Sequence, residues 1–230
     1  MRLRTLGRHV FRRRGTQAFA PERYWEKRHQ THRDSLRAVG HVKLPDWQSA
    51  EQYELKARRI LDVIRRHCTD TTDRSLLDAG CGIGYLTRAF VAEGFEVVGV
   101  DFSETAIGRA RADGIAAQFL VSPLAGLNLG RRFDVIAAVD VLLHVVNRRD
   151  WHATLEAFRG HLKPDGVLVI LDWVDARVRC VQPHLRARSK RRYARVLGRL
   201  GLQMIEHEQF RLQHEDATKD LLVIKHVGKE

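Results

Sequence analysis

Apolar and polar positions along this chain fall into two rhythms. Short apolar runs, beginning at Ser75 and again over Val97–Val100, Ala116–Val121, Phe133–Val139 and Val167–Trp173, have the length and composition of strands buried on both faces. Between them lie stretches with helical spacing, at Tyr85–Glu93, Ser103–Ala112 and Arg149–Leu162. Ahead of the first strand, Ser49 and Gln52 read as a capping box for a helix to about Arg66, with Tyr53, Ala57, Ile60, Leu61 and Ile64 on its buried face. After the fifth strand, Tyr193, Val196, Leu197 and Leu200 mark a helix that Gly201 ends, and strands follow over Gln203–Phe210 and Leu221–Val227. Strand and helix alternate as in a parallel α/β sheet.

The first strand runs through Leu76-Leu77-Asp78-Ala79 into Gly80, Gly82 and Gly84, and the second ends on Asp101. Glycines at a strand end let backbone approach a ligand closely, because they lack a Cβ and tolerate positive φ. A helix starting near Tyr85 turns its free N–H groups toward the same space. An acid ending the next strand is placed to accept from a ribose diol. These features predict a site for a nucleoside-containing cofactor at the carboxyl edge of the sheet. A dinucleotide fingerprint needs its third glycine at the position of Tyr85, whereas here it comes early, at Gly84. Asp78, two residues before the first glycine, suits a ligand end carrying a positive amino group better than one carrying phosphates.

Asp78-Ala79-Gly80-Cys81-Gly82-Ile83-Gly84 resembles the first motif of the class I S-adenosylmethionine-dependent methyltransferases, small-molecule type. Phe133-Asp134 opens a segment similar to that family's fourth strand, and Leu162-Lys163-Pro164-Asp165-Gly166 resembles its turn into strand five. Tyr24-Trp25-Glu26 is similar to the segment that precedes the core in small-molecule members. The resemblance implies a seven-stranded, doubly wound, mostly parallel sheet with an N-terminal helical lid. It implies S-adenosyl-L-methionine as cofactor, held by Tyr24, Asp78, Gly80, Cys81, Gly82, Gly84, Asp101, Phe102, Ser122, Pro123 and Asp140. Asp101 would bind both ribose hydroxyls, Phe102 would pack on the adenine, and Asp140 would contact the methionine part. Ser122-Pro123 ends the third strand where the family often carries an acid near the adenine amino group, so a hydroxyl or backbone group would take that contact.

Methyl transfer from a sulfonium is an in-line displacement, and a hydroxyl acceptor also needs a base. His144, just past the fourth strand, is the best-placed base, with structural support of the cofactor site as its other reading. His29, His32 and His41 in the lid segment are further candidates, and Asp172 with Trp173 ends strand five on the substrate side or simply closes it. Cys81 fills a place that wants a small residue, with nothing nearby in sequence to lower its pKa. Asp140-Val141-Leu142-Leu143 is not the proline-rich motif of base amino-methylation, no cysteine follows a proline, and a paired-glutamate loop is missing. A small-molecule or lipid-type acceptor remains, for which the resemblance implies O-methylation as the commonest outcome. An RNA-binding or RNA-modifying protein and a NAD-dependent oxidoreductase are the alternatives; binding of S-adenosylmethionine against NADH separates the latter.

Composition changes this picture in one respect. The 230 residues suffice for one core, divided by expectation into a basic tail (1–21), a lid segment (22–48) and a methyltransferase domain (49–230). Three scattered cysteines make no disulfide framework and no long apolar run crosses a membrane, which fits a reducing, cytoplasmic setting. The net charge of +12 is uneven. The tail has Leu3, Leu6 and Val10 on one face of a basic helical pattern, a peripheral membrane contact, a presequence or a frayed tail. Residues 176–205 contain no acid, and Arg191, Arg195 and Arg199 repeat at i, i+4 beside Arg188 and Arg192. Like charges at that spacing repel, so the stripe predicts either a solvated face or an anionic acceptor.

Overall fold

The computed structural model describes residues 19–33, 35–68, 74–175, 179–214 and 218–228. The basic pattern around Leu3, Leu6 and Val10 lies outside them, as do residues 176–178. Helices α1 (Pro21–Thr31) and α2 (Asp46–His67) precede β1 (Ser75–Ala79), α3 (Tyr85–Ala92), β2 (Glu96–Asp101), α4 (Glu104–Ala112) and β3 (Gln118–Val121). The chain continues through β4 (Phe133–Val139), α5 (Arg148–His161), β5 (Leu162–Asp172), a hairpin of β6 (Arg179–Gln182) and β7 (Leu185–Ala187), α6 (Lys190–Arg199), β8 (Leu202–Arg211) and β9 (Thr218–His226).

Seven strands form one sheet in the order β3-β2-β1-β4-β5-β9-β8, parallel except for β9, which runs antiparallel to both neighbours. Alternate strand residues serve two cores. Leu77, Val98, Ile136 and Leu168 face Trp151, Phe158 and Tyr193 of α5 and α6, while Leu76, Val97, Val135 and Val167 face Ile60, Ile64 and Phe90 of α2 and α3. Each such aliphatic side chain removed from water stabilises the fold by about 1.5–3 kcal/mol. Since β1 sits between β2 and β4, the connections diverge there and leave a crevice beyond the carboxyl ends of these strands.

Three expectations are corrected. Helix α2 starts at Asp46, a turn before the expected capping box. Ser49 and Gln52 are buried in that helix, and the Gln52 amide donates to the Gln213 carbonyl at 2.6 Å instead of capping. Strand β5 begins at Leu162, which pairs with Phe133; an irregularity between Phe133 and Val135 absorbs the segment read as a turn. The β6–β7 hairpin was not anticipated. It is tied to the segment after β4 by the Arg186 amide, which donates to the Leu143 carbonyl at 2.9 Å.

Candidate active site

Beyond β1 the backbone turns through Gly80 and Gly82 with φ of 79° and 53°. A Cβ on Gly80 would lie 2.5 Å from Val141, and one on Gly82 2.8 Å from Val39, so both positions are closed to larger residues. The Asp101 carboxylate at the end of β2 fixes the loop, accepting from the Gly82 amide at 3.0 Å and the Ser103 amide at 2.9 Å. Burial raises its pKa, and those two bonds partly offset the shift. Asp78 is buried below it, accepts from the Thr87 hydroxyl at 2.6 Å and pairs with no cation among the described residues. Burial, with Asp101 adding repulsion, pushes its pKa up to about 7. An uncompensated carboxyl in a glycine-lined wall, beside a strand-end aspartate, fits a ligand carrying both an ammonium and a ribose.

The lid closes this wall from the other chain end. Glu26 on α1 accepts from the Ser103 hydroxyl at 2.7 Å and from Thr105, while Arg109 donates to the Arg33 carbonyl at 2.5 Å. These bonds hold α1 over the start of α4, and Trp25, His29 and Val39 line the crevice together with the glycine loop.

Past β4, Asp140 adopts a left-handed φ of 54° and turns its carboxylate into the same crevice. Lys56 from α2 pairs with it at 2.7 Å and Lys219 from β9 pairs with its other oxygen. Burial opposes that charge, yet the two lysines prevail and hold the carboxyl well below the usual range. His144 lies in the wall between Trp25, whose ring meets it edge-on at 4.5 Å, and the stacked ring of His184. Its Nδ1 is 2.9 Å from the His184 carbonyl oxygen. That oxygen can only accept, so Nδ1 carries the proton and Nε2 keeps its lone pair. Burial lowers the His144 pKa to about 4.

Eight of the residues expected from the sequence meet at this crevice: Asp78, Gly80, Cys81, Gly82, Asp101, Phe102, Asp140 and His144. Four do not line it. A Cβ on Gly84 would meet Ile115, Phe119 and Ala110, so that glycine serves packing against α4 and β3. Tyr24 stacks on His184 at 4.7 Å and leaves the wall position to Trp25. Ser122 donates its amide to the Asp101 carbonyl and its hydroxyl to the Pro123 carbonyl, so both residues close the end of β3. Of the three lid histidines, only His29 lines the crevice. Asp172 lies elsewhere, fully buried, accepting from Tyr193 and from the Trp173 amide. Cys81 is buried with its thiol pKa pushed well up, as suits an inert small residue.

Sequence reasoning missed Lys56, Lys219 and His184. Lys56 left a trace, being a charged residue three places from Tyr53 and four from Ile60 on the buried face of α2. No local pattern marks the other two.

A family model described as a methyltransferase domain matches residues 49–222. A ubiquinone biosynthesis O-methyltransferase from Rickettsia felis is 30% identical over 120 residues, 50% of this chain and 48% of that protein. A dTDP-3-amino-3,6-dideoxy-alpha-D-glucopyranose N,N-dimethyltransferase from Streptomyces fradiae is 29% identical over 124 residues, 54% of this chain and 48% of that protein. The chain thus spans about half the length of these curated relatives. The magnesium protoporphyrin IX methyltransferase from Synechocystis PCC 6803, solved with bound S-adenosylmethionine, superposes with a TM-score of 0.71 at 16% identity, over 91% of this chain and 99% of that one. The expected fold is therefore present, and the expected cofactor is the one this neighbour holds. The chain belongs to the methyltransferase-domain family.

Proposed function

We propose that the chain is an S-adenosylmethionine-dependent O-methyltransferase for a small-molecule acceptor, with His144 as the general base. The observation that carries this reading is the bond from His144 Nδ1 to the His184 carbonyl in the crevice wall, a tautomer that leaves Nε2 as a proton acceptor. When bound, the cofactor supplies an electrophilic methyl group on a sulfonium. Asp78 would take its ammonium, Asp101 its ribose hydroxyls, and Gly80 and Gly82 would give it room. Trp25 and His29 of the lid exclude water from the crevice. An acceptor hydroxyl beside His144 would pass its proton to Nε2 as the new oxygen–carbon bond forms and the carbon–sulfur bond breaks. The nearby Asp140 charge raises the basicity of that imidazole, against the burial that lowers it.

The Streptomyces fradiae relative favours a second reading, N-methylation, in which a neutral amine needs no base. One variant separates the two. For a hydroxyl acceptor found by a mass-detected methyl-transfer screen, His144→Ala lowers turnover roughly 10²–10⁴-fold with cofactor affinity unchanged. Turnover of the variant within a few-fold of the parent removes His144 as the base.

A further inference from the structure

The arginines after β5 divide between two faces: Arg191, Arg195 and Arg199 keep the stripe their spacing predicts, while Arg188 and Arg192 beside it turn elsewhere. Arg191, Arg195 and Arg199 are exposed on α6. Arg188 is buried, its guanidinium donating to the Leu142 carbonyl at 2.8 Å and to the Val145 carbonyl, and lying 4.6 Å over the Trp151 ring. Arg192 points away from the stripe, its Nη2 3.3 Å from His152 Nε2. Together with Arg148 at the start of α5 and Arg186 on β7, these two arginines and Trp151 line a cavity of about 230 Å³.

The electrostatics of this cavity are incomplete. Four arginines line it, and among the described residues none of them is paired with a carboxylate. Arg186 Nε is buried without a hydrogen-bond partner. Burial lowers the pKa of Arg188 to about 10, with Arg186 and Arg192 adding repulsion against the attraction of Tyr193 and Asp172. Burial and then Arg148, Arg195 and Arg199 lower that of Arg192. A fold that gathers like charges around a cavity and leaves a donor unsatisfied is complementary to an anion.

We propose that Arg148, Arg186, Arg188 and Arg192 form a binding site for a phosphate group, separate from the methyl-transfer crevice. Phosphate fits better than carboxylate because it carries close to two charges at neutral pH and offers three oxygens to forked donors. The site shares the 142–148 segment with the crevice, Arg148 standing four residues beyond His144. The phosphate could arrive free, on a small phosphomonoester or on a lipid headgroup.

Titration calorimetry of the full chain with inorganic phosphate tests this, beside sedimentation with vesicles of phosphatidic acid, whose headgroup is a phosphomonoester, and of phosphatidylcholine. Saturable one-site phosphate binding is expected, weakening with added salt. Arg186→Gln and Arg192→Gln should each weaken it roughly ten- to a hundred-fold. The exposed double variant R191Q/R195Q should leave it within about two-fold. Retained affinity for S-adenosylmethionine shows that each variant is folded, and Arg186→Lys, which keeps the charge, should retain part of the binding. Vesicle binding lost in the same cavity variants identifies a headgroup as the source; phosphate binding without vesicle binding identifies a soluble one. The proposal is overturned by absent saturable phosphate binding, by equal loss in R191Q/R195Q, or by binding confined to an RNA oligonucleotide.

Discussion

The two walls of the crevice are built in opposite ways. The wall proposed above for the cofactor comes from a single stretch, Asp78 to Phe102, where two adjacent parallel strands end and turn. The facing wall is assembled from Trp25, Tyr53, Asp140 and His144, with Lys56 and Lys219 behind Asp140, segments that meet only through the sheet and the lid. Their charges differ as well. Among the described residues Asp78 is buried without a cation, whereas Asp140 holds two. One wall thus carries a carboxyl with no counter-ion among the described residues, and the other is internally paired.

The sharpest way to break this contrast is at Asp140. Asp140→Asn leaves two buried lysines without their anion and should cost about 3–5 kcal/mol of stability at neutral pH, read by urea unfolding. Lys56→Met or Lys219→Met should cost less, because the carboxylate keeps one partner. Asp140 ionises more easily in the fold than in the unfolded chain, so its contribution is full above about pH 4 and disappears as pH falls through the depressed folded value. The Asn variant should lack that acid limb. A stability equal to the parent's would remove the distinction between the walls.

Asp101 probes the opposite side. Asp101→Ala should weaken S-adenosylmethionine binding by about 1.5–3 kcal/mol per lost charge-assisted bond, tenfold or more, with a smaller change in stability than at Asp140. Calorimetry showing unchanged affinity would refute its assignment to the ribose.

The smallest effect expected is the pH response of Asp78. With a pKa of about 7, ionising it costs stability as pH rises from about 4 through 7 in the free protein. A bound ammonium favours the ionised form. Cofactor affinity should therefore be full above pH 7 and decline by up to about tenfold per pH unit below it. Titrations at pH 6 in buffers of different ionisation enthalpy should show a proton released, and Asp78→Asn should show none.

Legibility in the sequence follows the same division. The glycine loop, Asp78 and Asp101 were readable because a strand end, a turn and a helix start are local events with local residue requirements. Ser49 and Gln52 misled because the three-residue spacing of a capping box is also the spacing of a buried helix face. Tyr24 and Trp25 alternate in direction on α1, and only packing against His184 decides which faces the crevice. Lys219 reaches Asp140 because β9 runs antiparallel, a pairing across 79 residues that no short window contains. The cavity arginines were not legible because Arg186 reaches the cavity from the β6–β7 hairpin, whose residues lack the alternation that would announce strands.

The reversed strand also sets an order of assembly. As the chain emerges during synthesis, β1 and β2 can bring Asp78, the glycine loop and Asp101 together long before β9 exists. Asp140 then waits with Lys56 alone until Lys219 arrives at the near end of the last strand added to the sheet beside β5. Docking of β9 against β5 is therefore the step that gives Asp140 its second lysine.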